Sequence, residues 1–267
     1  MNPYSIPPLL IALAFISLGV IVFLRSKETL SIRIAFILNC LSSFWWQFTW
    51  FILFNIKNEI LAFFLVRIGY SGIIFIPVTF FHFYSCYLDL EKNKKWINFY
   101  YFIGFVFLVL LWTTTTYIKG YYTYFWGYYP KAGFFHPVYL IYLTIIAIHC
   151  FFSLISFGRK IHWGGIKANQ IKYLVSALFI YCFASSDFIV NYGIEFYPLG
   201  VLAILISLGI VTYAILKYRL MDINIALTRV GIFVIVYTLV LGIPFWFGVK
   251  TGLWIYSTII MAALATA

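Results

Sequence analysis

The sequence predicts an all-α, polytopic transmembrane helical bundle of about nine helices with its amino terminus outside, and three observations carry that prediction. Hydrophobic residues make up 64% of the 267 positions and charged residues 9%, with a mean hydropathy of +1.01. The apolar residues fall into runs long enough to cross a bilayer. Short basic clusters separate those runs. A chain of this composition cannot cover itself with a water-soluble surface, so lipid must be its solvent.

A hydrocarbon core about 30 Å thick is crossed by roughly 20 helical residues. Reading between the charged clusters places helices near Ile6 to Leu24, Ile34 to Phe54, Ile60 to Tyr87, Ile97 to Thr115, Pro137 to Phe157, Tyr173 to Tyr192, Leu199 to Leu216, Val230 to Val249 and Leu253 to Ala267. The third run is long enough to tilt or protrude, and Pro77 removes a backbone donor within it, which predicts a kink there. Helix 1 is expected to stay in the membrane. Met1-Asn2-Pro3-Tyr4 offers no basic n-region, and the first run ends at Arg25 and Lys27 without a small-residue cleavage site. The ninth run ends without a flanking polar cluster, so the expectation is a chain that continues.

Lysine and arginine fix the orientation. One set of alternating loops and helix ends holds Arg25, Lys27, Arg33, Lys92, Lys94, Lys95, Arg159, Lys160, Lys167, Lys172, Lys217, Arg219 and Arg229, which makes 13. The other holds Lys57, Lys119, Lys131 and Lys250, and Arg67 lies within a helix. The positive-inside rule assigns the first set to the cytoplasm. Topology therefore accounts for the net charge of +11. Charges scattered over four short loops do not form a nucleic-acid patch, so no nucleic acid partner is expected.

Cys40, Cys86, Cys150 and Cys182 all fall inside helices, with no CxxC pair or matching histidine spacing, and read as small buried hydrophobes. No metal site or cofactor is expected. His82 and His149 share a depth in the cytoplasmic half but lack a carboxylate beside them, and read as packing histidines. Arg67 and Asp187 are harder to dismiss. An ionised group facing lipid costs at least about 2.5–3.5 kcal/mol, so each needs a partner or water. Both lie in the outer half of the bilayer. They are expected either to form an ion pair that fixes the packing of helices 3 and 6, or to line a polar cavity open to the outside.

The outer loop from Tyr117 to His136 is nearly half aromatic. It reads either as an interfacial belt at headgroup level or as a lid, turned by its glycines and Pro130, whose rings meet a ligand.

Four stretches also resemble a known family. They are Tyr124-Phe125-Trp126-Gly127-Tyr128-Tyr129-Pro130-Lys131-Ala132-Gly133; Asn169-Gln170-Ile171-Lys172-Tyr173; Ser186-Asp187-Phe188 with Tyr192-Gly193-Ile194 and Tyr197-Pro198; and Tyr213-Ala214-Ile215-Leu216-Lys217-Tyr218-Arg219-Leu220-Met221-Asp222-Ile223. In order and spacing they are similar to the amino-terminal seven-helix sensor region of bacterial histidine kinases. The resemblance covers residues 1–225, with the last stretch the most specific. Residues 226–267 then read as two further transmembrane helices, cut short before a cytoplasmic output module.

The resemblance implies a multi-pass protein of the bacterial cytoplasmic membrane. It would sense an envelope or intramembrane stimulus and relay it to a cytoplasmic kinase absent from this chain. A homodimer and a response regulator partner follow only through that missing module. Candidate sensing residues are Arg67, Asp187, Trp126, Tyr129 and Lys131, and the candidate exit for the signal is Tyr218, Arg219, Leu220 and Asp222. No catalytic residue is expected, since neither His136 nor His162 begins a soluble dimerising helix and no ATP-lid glycine run is present. A small-molecule transporter is the alternative, although the sequence lacks inverted halves and paired broken helices. An integral membrane enzyme comes third, without an HExxH, acidic cluster or nucleophile motif to support it.

Overall fold

The computed structural model describes residues 1–221. The expected eighth and ninth helices, and Asp222, lie outside the described residues. Helices α1 (Ile6–Arg25) and α2 (Leu30–Leu53) are the first two crossings, and α3 (Glu59–Ile73) with α4 (Ile76–Tyr87) form the third. Helix α5 (Lys94–Thr113) leads into an antiparallel hairpin, β1 (Ile118–Tyr124) and β2 (Gly127–Ala132), which is followed by α6 (His136–Lys160). The sixth crossing is α7 (Gly165–Cys182) continued by a 3-10 segment, Phe183–Tyr192, and α8 (Gly200–Tyr218) is the seventh. Six crossings have the length and apolar composition to span a membrane, and Gly200–Ile215 is a shorter apolar helix. The expected all-α polytopic class therefore stands.

The hairpin departs from that class, and its residues explain why. Ile118, Tyr121, Tyr122, Thr123 and Tyr124 are β-branched or aromatic and fit a pleated surface. A two-residue turn at Phe125 and Trp126 joins the strands, pairing Tyr124 with Gly127 and Tyr122 with Tyr129. Pro130, which reads as a breaker, is tolerated because a two-stranded ribbon is all edge. Gly127 has φ of 135°, and a Cβ there would stand 3.0 Å from the Cα of Phe54. Both facts restrict the position to glycine.

The third crossing breaks where Pro77 predicts. Ile74 and Phe75 interrupt it, with Pro77 in the first turn of α4. A proline at 77 leaves the carbonyl of Ile73 without its helical donor. The Tyr139 hydroxyl donates to that oxygen at 2.9 Å, and Tyr139 is fully buried. One tyrosine on α6 thus repairs the break in the neighbouring crossing.

Cations close several helix ends at the basic side of the bundle. Arg25, Arg159 with Lys160, and Lys217 lie in the last turns of α1, α6 and α8, where the helix dipole favours positive charge. These four are among the thirteen cations of the positive-inside set. Helix α1 packs on α2 and α8, α7 on α8 and α6, α6 on α4, and α2 along both α3 and α4. Phe102 on α5 and Phe152 on α6, 63% and 68% exposed, face outward. Lipid, not water, makes such a surface stable.

The chain's turns gather at two ends. Asn2 donates to the carbonyls of Phe54 and Trp126, and the Tyr197 hydroxyl to that of Tyr4. This places the amino terminus, the α2–α3 turn, the hairpin and the α8 approach together. At the other end Ser26 donates to the Met221 carbonyl, and Tyr87 meets Gln170. We expect cysteines at exposed Thr123 and exposed Lys94, in a background with the four native cysteines replaced, to differ in labelling by an impermeant thiol reagent on intact cells. Labelling at 94 and not at 123 would reverse the orientation.

Candidate functional site

The hairpin folds back over the bundle as a closed roof. Trp126 is fully buried, stacked on Tyr124 at 4.6 Å and set edge-on to Tyr129 and Tyr197. Tyr129, also buried, packs its ring against Trp50 at 5.8 Å and Phe54 at 6.4 Å. These positions do not suit an interfacial belt, whose rings would sit at headgroup level. The hairpin covers the bundle as a lid would, while Phe125 and Phe134 remain exposed.

The roof is tied to the end of the sixth crossing by two phenols. Tyr129 donates to the Asp187 carbonyl at 3.3 Å, and Tyr124 to the Val190 carbonyl at 2.9 Å. Burial, together with the nearby Asp187 carboxylate, pushes the Tyr129 and Tyr197 phenols above their ordinary range. Both therefore remain neutral donors at physiological pH. Lys131 stands apart from this core, with its ammonium 4.9 Å from the centre of the Tyr122 ring.

The expected Arg67–Asp187 ion pair is not formed. Asp187, 5% exposed, accepts from the Gly200 amide at 2.7 Å. Its carboxylate thus sits on the first turn of α8, where free amides and the helix dipole favour an anion. Arg67 turns the other way. Its guanidinium donates to the carbonyls of Trp112 and Thr114, at 3.5 and 3.2 Å, and lies over the Phe63 ring at 4.4 Å. It closes the carboxyl end of α5. The correction has one physical cause: a helix end supplies the complementary partial charge that each side chain was expected to find in the other.

Beneath the roof lies a polar cluster that the sequence reading did not single out. The two ring nitrogens of His136 meet the hydroxyls of Tyr70 at 3.0 Å and Tyr192 at 2.9 Å, and Asn191 bonds to both His136 and Tyr70. Tyr117 stacks on the imidazole. The members come from crossings three and five, from the 3-10 end of the sixth and from the start of the hairpin. Nothing in their spacing announces this, although His136 directly precedes Pro137 at a helix start. Deeper still, Trp46, Tyr139, Tyr181 and Phe188 help to line an apolar pocket of about 590 Å³, its open mouth included. His82 and His149 share nothing, since each bonds its own α5 tyrosine, Tyr101 and Tyr100.

The opposite end of the sixth crossing holds the expected exit segment. Gln170 donates from Nε2 to the Tyr218 carbonyl at 2.8 Å and reaches the Arg219 carbonyl at 3.4 Å. Its own oxygen accepts from Tyr87 at 2.6 Å. Arg219 ends α8 in the left-handed region, φ 51°, and the Leu220 amide returns to the Ala214 carbonyl. Leu220 and Met221 are fully buried. Residues 218–221 are thus a clamped turn, in contrast to a freely solvated loop. Gln170 was quoted in the sequence as part of a motif, without a role.

The arrangement is a multi-pass membrane domain of seven crossings among the described residues, with one buried polar end and one clamped end, and the sixth crossing takes part in both. A family model for the N-terminal 7TM region of histidine kinase matches residues 9–224, and the chain belongs to that family. No curated protein and no solved structure matches it.

Replacing Asp187 with alanine removes the acceptor of a buried amide and should lower stability by about 1–3 kcal/mol, with Asp187→Asn losing less. Gly200→Ala should destabilise as well, because a Cβ there runs into the carboxylate. A double-mutant cycle of Arg67→Met with Asp187→Leu should be additive to within about 0.5 kcal/mol. Denaturant unfolding in nanodiscs reads all of these, and strong coupling would restore the ion pair.

Proposed function

We propose that this chain is the membrane-embedded signal-input region of a two-component sensor histidine kinase in the bacterial cytoplasmic membrane. A stimulus from the envelope or the bilayer acts where the hairpin roof meets the end of the sixth crossing, at Trp126, Tyr129 and Asp187. The signal leaves through Tyr218 to Leu220 toward a cytoplasmic output domain. Arg67 and Lys131 serve the surrounding frame, and Asp222 continues the exit. The kinase module, its homodimer and the response regulator it phosphorylates belong to the same proposal.

One observation carries this reading. The sixth crossing is bonded to the roof at Asp187 and Val190 and to the exit turn at Gln170. A stimulus that favours one arrangement of the roof over another changes the strain on that crossing and so the hold of Gln170 on the last carbonyls of α8. A coupling of about 1–3 kcal/mol is the ordinary scale for such relays. The break from α-helix to 3-10 geometry at Phe183 gives the crossing a place to change its winding. The transporter alternative lacks a comparable argument.

In the full-length protein, Trp126→Ala, Asp187→Asn and Gln170→Leu should each change basal or stimulated autophosphorylation by several-fold while leaving membrane insertion intact, on the scale of such couplings. Phe102→Ala, on the lipid face of α5, should not. Equal signalling by all four variants at matched expression would overturn the proposal.

A further inference from the structure

The geometry points to a second binding site, unconnected with the roof: a groove at the basic end, between the start of α5 and the last turns of α6, that takes the phosphate headgroup of an anionic phospholipid. The groove encloses about 840 Å³, its mouth included. Lys92, Lys95 and Trp96 form one wall, and Ser153, Ser156 and Lys160 form the other.

The α6 wall is a built feature. His149, Ser153, Ser156 and Lys160 follow one another at helical spacings of four, three and four, so they share one face. Of the residues between them, Cys150, Phe151, Phe152, Leu154, Ile155 and Phe157 are apolar, while Gly158 and the exposed Arg159 complete the last turn outside the groove lining. A narrow polar stripe on a helix that otherwise meets lipid or core requires a polar occupant. His149 is already engaged by the Tyr100 hydroxyl, at 3.0 Å. The Ser153 and Ser156 hydroxyls and the three ammonium groups are engaged by no side chain among the described residues. Asp89 and Glu91, the acids of the neighbouring turn, are not part of the wall.

Three cations and two hydroxyl donors around one cleft suit the oxygens of a phosphate ester. A dissolved phosphate ester shares that chemistry, but the surroundings favour the lipid. Trp96 is 42% exposed at the groove and Phe152 68% exposed beside it, which provides apolar surface where the glycerol and acyl chains of a bound lipid would run. The positive-inside rule puts this end at the cytoplasmic leaflet, where anionic lipids and basic pockets between helices meet.

The test uses the purified chain in nanodiscs of phosphatidylcholine, with and without phosphatidylglycerol. Lipid retained after detergent extraction is counted by mass spectrometry, and the melting temperature is followed in parallel. Wild type should retain phosphatidylglycerol selectively. Lys92→Gln with Lys95→Gln and Lys160→Gln should lower that selectivity about a hundredfold, the scale expected of three interfacial cations. Lys27→Gln with Lys94→Gln and Lys172→Gln, an equal loss of charge at the same end, should keep it. Equal loss in both triple variants would mean diffuse attraction and would overturn the site. A rise in melting temperature with soluble glycerol phosphate equal to that with phosphatidylglycerol would overturn the lipid as its ligand. If the first triple variant fails to fold, the wild type decides: a photoactivatable phosphatidylglycerol must crosslink to peptides 90–96 or 152–160, and label confined to other segments would refute the groove.

Discussion

Where a helix ends within or against a bilayer, several of its amides or carbonyls lose their partners and no water replaces them. Four side chains of this protein answer that constraint at four critical places. Asp187 accepts the first amide of α8, and Arg67 donates to the last carbonyls of α5. Tyr139 takes the Ile73 carbonyl that Pro77 cannot bond, and Gln170 takes the last carbonyls of α8. Each comes from a different crossing than the helix it closes. The satisfaction of backbone groups and the packing of the bundle are therefore one event, and a side chain that lets go exposes a polar group to a medium that cannot solvate it.

That coupling suits a signalling domain. In a soluble protein a released carbonyl finds water at little cost, and a local change dies out locally. Where the carbonyl is buried in the bundle, as that of Ile73 is beside Tyr139, a released group must find another side chain, so rearrangement there favours rearrangement elsewhere. The sixth crossing is the element most exposed to this logic. Its 3-10 part is bonded to the roof, while its α-helical part is bonded to the turn at residues 218–221. The polar cluster of His136, Tyr70, Asn191 and Tyr192 lies against its outer part, with both imidazole nitrogens engaged. A fully connected network of this kind has few alternative arrangements, which favours discrete states over gradual drift.

The hairpin shows how an aromatic sequence becomes structure. Tyr124, Tyr128 and Tyr129 pack their rings and spend their hydroxyls on carbonyls of other elements, at Val190, Lys57 and Asp187. Tyrosine does this more readily than phenylalanine or serine, because one side chain supplies apolar area and a donor together. The roof is thereby fastened to α2, the α2–α3 turn and the 3-10 segment without a salt bridge.

What the sequence by itself determined is the solvent, the number of crossings through residue 221 and the break at Pro77, and the charge rule supplied an expected direction. Each follows from composition or from a property of one residue: hydropathy, charge or a missing amide. The residues of the roof and of the turn after α8 were visible too, as dense or distinctive stretches around Trp126, Asp187 and Tyr218. Tertiary structure alone decided the partners. Arg67 and Asp187 sit at similar depth in helices that sequence logic brings together, yet each found a helix end, because backbone dipoles leave no mark in a list of side chains. Strand pairing in the hairpin, the His136 cluster and the role of Gln170 were hidden for the same reason: a hydrogen bond between residues far apart in the chain depends on where helices rotate and stop, and only the packed bundle fixes that.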